Sequence, residues 1–315
     1  MPTSSQSRDL VLGLIHGYTA DRIRPFVNSL RKVAPDAKIL LACSQITEVT
    51  RGELLAMGCE LLPYRYYSAQ VAGKKLWPGN TRWSWFHKNY SRVIDALSFL
   101  SAEARLRLKA KVVRHFLDPN TRRFVEFFLA LESKGRNFDR VLLSDLRDVV
   151  FQSNPFDLVH GNEIVCSLED DSLTIGSNWA NSLWVERVGG SRLKEELSNR
   201  RISCVGVLVG SGQLIEGYLR ALVGVLTRPG INVANFHGAD TGAHNIVVYK
   251  EPPGAIRFGD AHLGGIIGMH GLRAQYIRWT ENGLLCDVQG VPFAIVHQYD
   301  RDPGVSQRLL SRLGA

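Results

Sequence analysis

The chain lacks any apolar stretch approaching the ~20 residues that a membrane-spanning helix needs. Its best run, Cys204 to Val209, is broken by glycine and bounded by polar residues. Cysteine is sparse: Cys43, Cys59, Cys166, Cys204 and Cys286 are an odd set without C-x-x-C spacing, which argues against both a disulfide framework and a thiolate zinc site. They read as small buried residues in a reducing compartment. No H-x-x-x-H or H-E-x-x-H pattern occurs, so a zinc hydrolase is poorly supported. Nothing matches a helix-turn-helix, zinc-finger or RNA-recognition signature, and no nucleic-acid partner is expected. The polar segment Met1 to Asp9 has neither a basic n-region nor a small-residue cleavage site, so the expected location is the cytoplasm. Internal repeats and low-complexity tracts are absent as well.

What is present is the composition of a folded α/β protein, 45% hydrophobic and 22% charged over 315 residues. Lys and Arg number 38 against 30 Asp and Glu, a formal charge of +8 whose sign alone suits phosphorylated substrates, peripheral association with an anionic membrane surface or nucleic acid. Leu10 to His16 and Lys38 to Cys43 are continuous apolar runs, the pattern of strands covered on both faces, with Ala20 to Ala34 reading as a helix between them. Thr47 to Met57 carries Val49, Leu54 and Leu55 at helical spacing, Gly58 is placed to end it, and Cys59 to Leu62 returns as a third strand. This alternation is the opening of a doubly wound half.

An aromatic and basic insertion follows, with Tyr66, Tyr67, Trp77, Trp83 and Trp85, and runs into helical sequence from Tyr90 to Leu117. Asn120 to Gly135 reads as a helix with Phe124, Phe127, Phe128 and Leu131 on one face. Asp139 to Val150 is a buried strand running into a polar break at Ser144 to Asp148. Strands at Glu163 to Ser167 and Ile202 to Gly210 lead to a helix from Gln213 to Leu226, and the chain beyond Asn232 reads as loop-rich and crowded with histidines.

A buried strand ending in Asp145-Leu146-Arg147-Asp148 places carboxylates at the carboxyl edge of a parallel sheet, where open α/β folds bind ligands. Hard oxygen donors there suit Mg²⁺ or Mn²⁺ held against a diphosphate. The same acids are equally placed to cap the next turn and pair with Arg147. Other residues carry similar pairs of readings. Tyr18 packs or stacks on a base. The glycines of Ser203 to Gly210 ease packing or keep a pocket open. Asp240 is a helix N-cap or a site acid, and His297, at the end of an apolar run, is a structural histidine or a ligand. Glu169, Asp170 and Asp171 are solvated surface acids or contacts for hydroxyl groups.

The order of these elements, an α/β opening, a long helix and an apolar strand ending in an acidic motif, resembles the GT-A fold of nucleotide-sugar glycosyltransferases. That resemblance implies a Rossmann-like, mostly parallel central sheet flanked by helices. It also implies one domain over 1–315, with a nucleotide-binding half at 1–160 that includes the insertion 64–118, and a sugar and acceptor half at 161–315. The implied activity is transfer of a sugar from a nucleotide-diphosphate donor to a saccharide or other hydroxyl acceptor, with Mn²⁺ or Mg²⁺ as cofactor.

The D-x-D motif of that family stands here as D-x-R-D; the resemblance implies that Asp145 and Asp148 take the metal and donor and that Arg147 replaces part of the cation's charge on the diphosphate. His16 and Tyr18 fall where such a fold holds the base and ribose, and Gly206 lies in the small-residue strand against the donor sugar. Asp240 takes the acidic position of a D-Q-x-x-x-N segment near the reacting centre, with Thr241 in place of Gln and Asn245 as the amide. The resemblance implies that His297 is the late histidine that returns to the metal. Lys74, Lys75 and Arg82 are expected to assist the phosphates or attract an acidic acceptor.

Two other readings stay open on the residues alone. Asp145 after an apolar strand also resembles the nucleophile of a haloacid-dehalogenase-type phosphatase, with Gly259-Asp260 as the start of its second acidic motif, though Arg147 and Gly264 stand where that family has acids. A non-catalytic module that binds sugar or an anionic surface is the third.

Overall fold

A computed structural model describes residues 8–65, 70–71, 74–75, 81–134, 138–234, 236–260, 263 and 265–313. The central sheet has seven strands in the order Ala255–Gly259, Glu163–Leu168, Ser203–Ser211, Arg140–Ser144, Asp9–His16, Lys38–Ser44, Cys59–Pro63. The last four are mutually parallel, as are the first two. Ser203–Ser211 alone runs antiparallel to both of its neighbours. The mostly parallel sheet flanked by helices is therefore as expected.

The apolar runs follow from burial on both faces. Leu10 and Leu12 of the first strand enter one core layer, and Val11 and Ile15 enter the other. On the first face lie the helices Pro119–Lys134, Gly212–Leu226 and Ala239–Lys250, which contribute Phe124, Phe128, Tyr218, Leu222 and Val247. On the second lies Arg24–Val33, with Phe26 and Leu30. Truncating a buried Phe of this kind costs about 3–5 kcal/mol, so the Phe124 and Phe128 face firmly seats the helix that begins beside the site.

The polar break after Arg140–Ser144 separates two sheets. Val149–Phe151 leaves the central sheet and forms a three-stranded one in the order Ile266–Gly268, Ile295–His297, Val149–Phe151. Val150, Ile267, Phe293 and Val296 share a third core cluster there. Phe26 meets Phe151 edge to face at 5.0 Å between centroids and ties this small sheet to the main body.

Several boundaries differ from the sequence reading for identifiable reasons. Ala20 to Ala34 is a short 3₁₀ turn followed by the helix Arg24–Val33, because Pro25, lacking an N–H, is suited to a first turn. Tyr90 to Leu117 is two helices, Thr81–Asp95 and Ala102–Val113, the second capped by Ser101 Oγ, which accepts from Ala104 N–H at 3.1 Å. The helix Trp179–Leu197 escaped the sequence reading. Gly189 and Gly190 interrupt its pattern, and the chain kinks at Gly190 with φ +83°. The C-terminal third, read as loop-rich, contains the helix Ala239–Lys250, two strands of the small sheet and a closing helix, Pro303–Leu313. Gly135, expected to end the Asn120 helix, and the aromatic residues Tyr66, Tyr67 and Trp77 lie outside the described residues. Among the described residues no helix is long and apolar enough to cross a membrane.

Trp179–Leu197 and Ala239–Lys250 cross at Gly242. A Cβ there would lie 2.7 Å from the carbonyl carbon of Trp184 and 3.2 Å from the backbone nitrogen of Val185. Backbone cannot rotate away as a side chain would. Gly242→Ala is expected to lower stability by about 1–3 kcal/mol in urea unfolding. An unchanged midpoint would show that the crossing has slack.

Candidate active site

The parallel strands Asp9–His16 and Arg140–Ser144 end on the same edge of the sheet, and the antiparallel strand Ser203–Ser211 begins there. Asp145 N–H donates to the Gly206 carbonyl at 2.7 Å, which clamps the acidic loop to that strand. The small sheet supplies the third component. His297 pairs with Val149, and Gln298 N–H donates to the Asp148 carbonyl at 2.7 Å. Asp145, Asp148 and His297 thereby bring one ligand atom each within 4.8 Å of the others.

His297 is 1% exposed, and its Nε2 lies 3.3 Å from Asp145 Oδ2 without a hydrogen-bond partner. Its Nδ1 lies 3.5 Å from Cys204 Sγ. A buried ring nitrogen that makes no hydrogen bond and lies close to carboxylate oxygens fits a divalent cation, and a mixed imidazole and carboxylate set suits Mn²⁺ better than Mg²⁺. Space for that arrangement depends on Gly206. A Cβ at this position would lie 2.7 Å from His297 Nε2 and 2.8 Å from Asp145 Oδ2.

These groups line a cleft of about 670 Å³. His16 and Tyr18 from the end of the first strand, Asp145, Arg147 and Asp148 from the acidic loop, and Gly206, Asp240 and His297 all line it. Burial, aided by the charge of Arg122, holds His16 below the usual histidine range and so favours the neutral imidazole. Arg147 reaches Asp148 at 3.5 Å and Asp300 at 3.3 Å.

Arg123 is a cleft residue that sequence reasoning missed. It projects from the first turns of Pro119–Lys134, is 6% exposed, and bridges Asp145, in close contact, and Asp240 Oδ2 at 3.5 Å. In sequence it was the last member of a diffuse basic stretch, and nothing local separated it from Arg122. The same helix is capped by Asp118, which accepts from Asn120 N–H at 3.0 Å and from Thr121 Oγ at 2.6 Å. Burial, followed by the nearby charge of Asp240, pushes the Asp118 carboxyl above the usual range.

Asp240 is not a helix N-cap. Gly238, with φ +86°, holds the cap position, and Asp240 lies in the first turn facing Arg123. Deeper in that helix, Asn245 accepts from Ser203 N–H at 3.0 Å and donates to the Ser203 carbonyl at 3.1 Å. His244 Nε2 lies 2.8 Å from Ser203 Oγ, and its Nδ1 lies 2.8 Å from Tyr218 OH. Burial, helped by the charge of Arg123, lowers His244 to about 3, so this imidazole is neutral and structural. The helix bearing Asp240 is thus anchored to the start of the strand bearing Gly206.

The run of three acids after Glu163–Leu168 divides. Burial favours protonation of Asp170, but hydrogen bonds from Ser172 and Arg273 outweigh it and bring the group down to about 2. Asp171 pairs with Arg273 as well. Only Glu169 lines the cleft, where burial pushes its carboxyl up to about 7 against the pull of His297. Asp260, the acid of the phosphatase reading, pairs with Arg201 and does not line the cleft, while Gly264 lies outside the described residues. The side chains of Lys74, Lys75 and Arg82 also lie outside them.

No protein-family model matches the sequence. No curated protein matches it either. Among solved structures the chain is similar to that of galactosyltransferase LgtC in complex with donor and acceptor sugar analogues, with a TM-score of 0.47 and 13% identity, covering 97% of this chain and 95% of that one. Roles for residues here rest on their own geometry.

Two outcomes are expected. Gly206→Ala should weaken Mn²⁺ binding at least tenfold by calorimetry, about 1.4 kcal/mol, while the circular dichroism spectrum is retained. Undiminished affinity would mean that His297 and Asp145 are not the ligands. Glu169, raised to about 7 in the folded chain against an ordinary 4.5, keeps a proton that the unfolded chain has lost, so its contribution to stability falls as pH rises through that window. Glu169→Gln should therefore gain stability relative to the parent between pH 4.5 and pH 7 in urea titrations and hold a constant difference above pH 8. A difference that does not vary with pH would place Glu169 in water.

Proposed function

We propose that this chain is a glycosyltransferase of the GT-A type, a single domain that moves a sugar from a nucleotide-diphosphate donor to a hydroxyl acceptor with a divalent cation, Mn²⁺ in preference to Mg²⁺. The observation that carries this reading is the meeting of Asp145, Asp148 and Nε2 of His297, which makes no hydrogen bond, where Gly206 has no side chain. Such a site gathers carboxylate and imidazole donors at the carboxyl edge of the sheet, as a metal-bound diphosphate requires.

Asp145, Asp148 and His297 would hold the cation, which neutralises charge on the departing diphosphate. Arg147, on the rim of the cleft, adds a guanidinium suited to phosphate oxygens. His16 and Tyr18, after the first strand, offer a neutral imidazole and a phenol ring to the base and ribose. Gly206 leaves room for the His297 ring and the Asp145 carboxylate, and Asp240, oriented by Arg123, contacts the hydroxyls of the donor sugar or positions the acceptor. Glu169, near neutrality in its protonation, is placed to accept a hydrogen bond from the acceptor hydroxyl.

A panel of UDP-, GDP- and dTDP-hexoses with and without Mn²⁺ tests the reading through thermal shift and slow donor hydrolysis. One donor should raise the midpoint only with metal and release its nucleoside diphosphate. Against that donor, Asp240→Ala should lower turnover at least about 10²-fold while nucleoside diphosphate affinity stays within about threefold. Hydrolysis of phosphomonoesters with no response to any nucleotide sugar would replace a transferase by a phosphatase. An equal loss of nucleotide binding in Asp240→Ala would put that residue at the wrong end of the cleft.

A further inference from the structure

Consecutive residues of one helical turn serve two cavities. Arg123 lines the cleft, whereas Arg122 lines a separate pocket of about 360 Å³ together with Tyr64, Arg65, Arg114, His115 and Glu126. This second pocket opens where the Cys59–Pro63 strand ends, since Tyr64 N–H still donates to the Cys43 carbonyl of the next strand at 2.9 Å. Nothing in the transferase reading uses it.

Its charge is unbalanced. Among the described residues three guanidinium groups face one carboxylate, a surplus of two positive charges. Arg122 is 2% exposed and donates through Nε to Glu126 Oε1 at 2.8 Å, with its guanidinium carbon 4.3 Å from the Tyr64 ring centroid. Its two terminal nitrogens have no protein acceptor among the described residues. Arg114 approaches Glu126 Oε2 only to 3.6 Å, and its Nε is buried without a hydrogen-bond partner. Arg65 stands exposed at the rim. Burial, then the charges of Arg114 and Arg122, keep His115 below the ordinary histidine range despite Glu126, so the imidazole adds a neutral hydrogen-bonding group and no further charge.

One ion pair accounts for Arg122 and Glu126. It leaves unexplained why two more arginines converge on the same pocket with unspent donors. Guanidinium forks bind phosphate and carboxylate oxygens in pairs. A carboxylate would cancel only half of the surplus charge, whereas the dianion of a phosphomonoester cancels it. The Tyr64 ring and Leu62 then form a wall for whatever carries the phosphate. From this geometry we propose that the pocket is a binding site for a phosphomonoester group, separate from the metal-bearing cleft and independent of what that cleft catalyses.

The test is thermal shift and calorimetry with inorganic phosphate, without metal, on the whole chain. Phosphate should raise the melting midpoint of the parent and of Asp145→Asn alike, and acetate should not. Arg65→Ala combined with Arg114→Gln keeps the buried Arg122–Glu126 pair and so preserves the fold, yet should weaken phosphate at least about tenfold, one charge-assisted hydrogen bond's worth. A hexose 6-phosphate and a nucleoside 3′,5′-bisphosphate, titrated side by side, separate two sources of such a group, and the tighter names the source. Binding of phosphate or of either ester that survives in the double variant overturns the proposal. So does an equal response to acetate, or no response of the parent at 10-millimolar order phosphate.

Discussion

The hydrogen bond from Asp145 N–H to the Gly206 carbonyl holds the acidic loop against the one antiparallel strand of the sheet, and the positions of the cleft's charged groups follow from it. The close approach is tolerable only because residue 206 has no side chain. Asp145 then faces His297, Asp148 is pinned through Gln298, and the strand's first residue, Ser203, is gripped by Asn245 of the helix that carries Asp240. A backbone contact thus sets the spacing of side chains that come from four separate elements.

That spacing crowds negative charge. Asp118, Asp145, Asp148, Glu169 and Asp240 all line one cleft, and Arg123 is the buried cation between two of them. Buried carboxylates without a partner are strongly unfavourable, and breaking such a pairing typically costs about 3–5 kcal/mol. Arg123 therefore permits the acids to coexist in the folded chain. The residual strain is visible in Asp118 and Glu169, whose carboxyl groups burial pushes toward the protonated form. A site that carries excess acid when empty is disposed to accept a cation.

Much of this was legible locally. Burial on both sheet faces writes itself as continuous apolar runs, so the first three strands were readable to within a residue or two. Carboxylates at a strand end and a glycine within a small-residue strand carry signals of their own, and both lie in the cleft. Arg123 carried none, because one arginine among many on an amphipathic helix differs from its neighbours only in what it meets. The helix Trp179–Leu197 was hidden for the opposite reason: its glycines break the periodic signal, yet one of them is placed where Ile246 packs closely against it.

The sequence by itself determined the layered α/β architecture and the residue types gathered at the carboxyl edge, since strand burial and chain order are local properties of the polypeptide. Only the folded chain shows that the polar break after Ser144 joins two sheets and that Arg122 and Arg123 serve different cavities. Those outcomes depend on strand pairing and helix packing between distant segments, whose energies no short window of sequence contains.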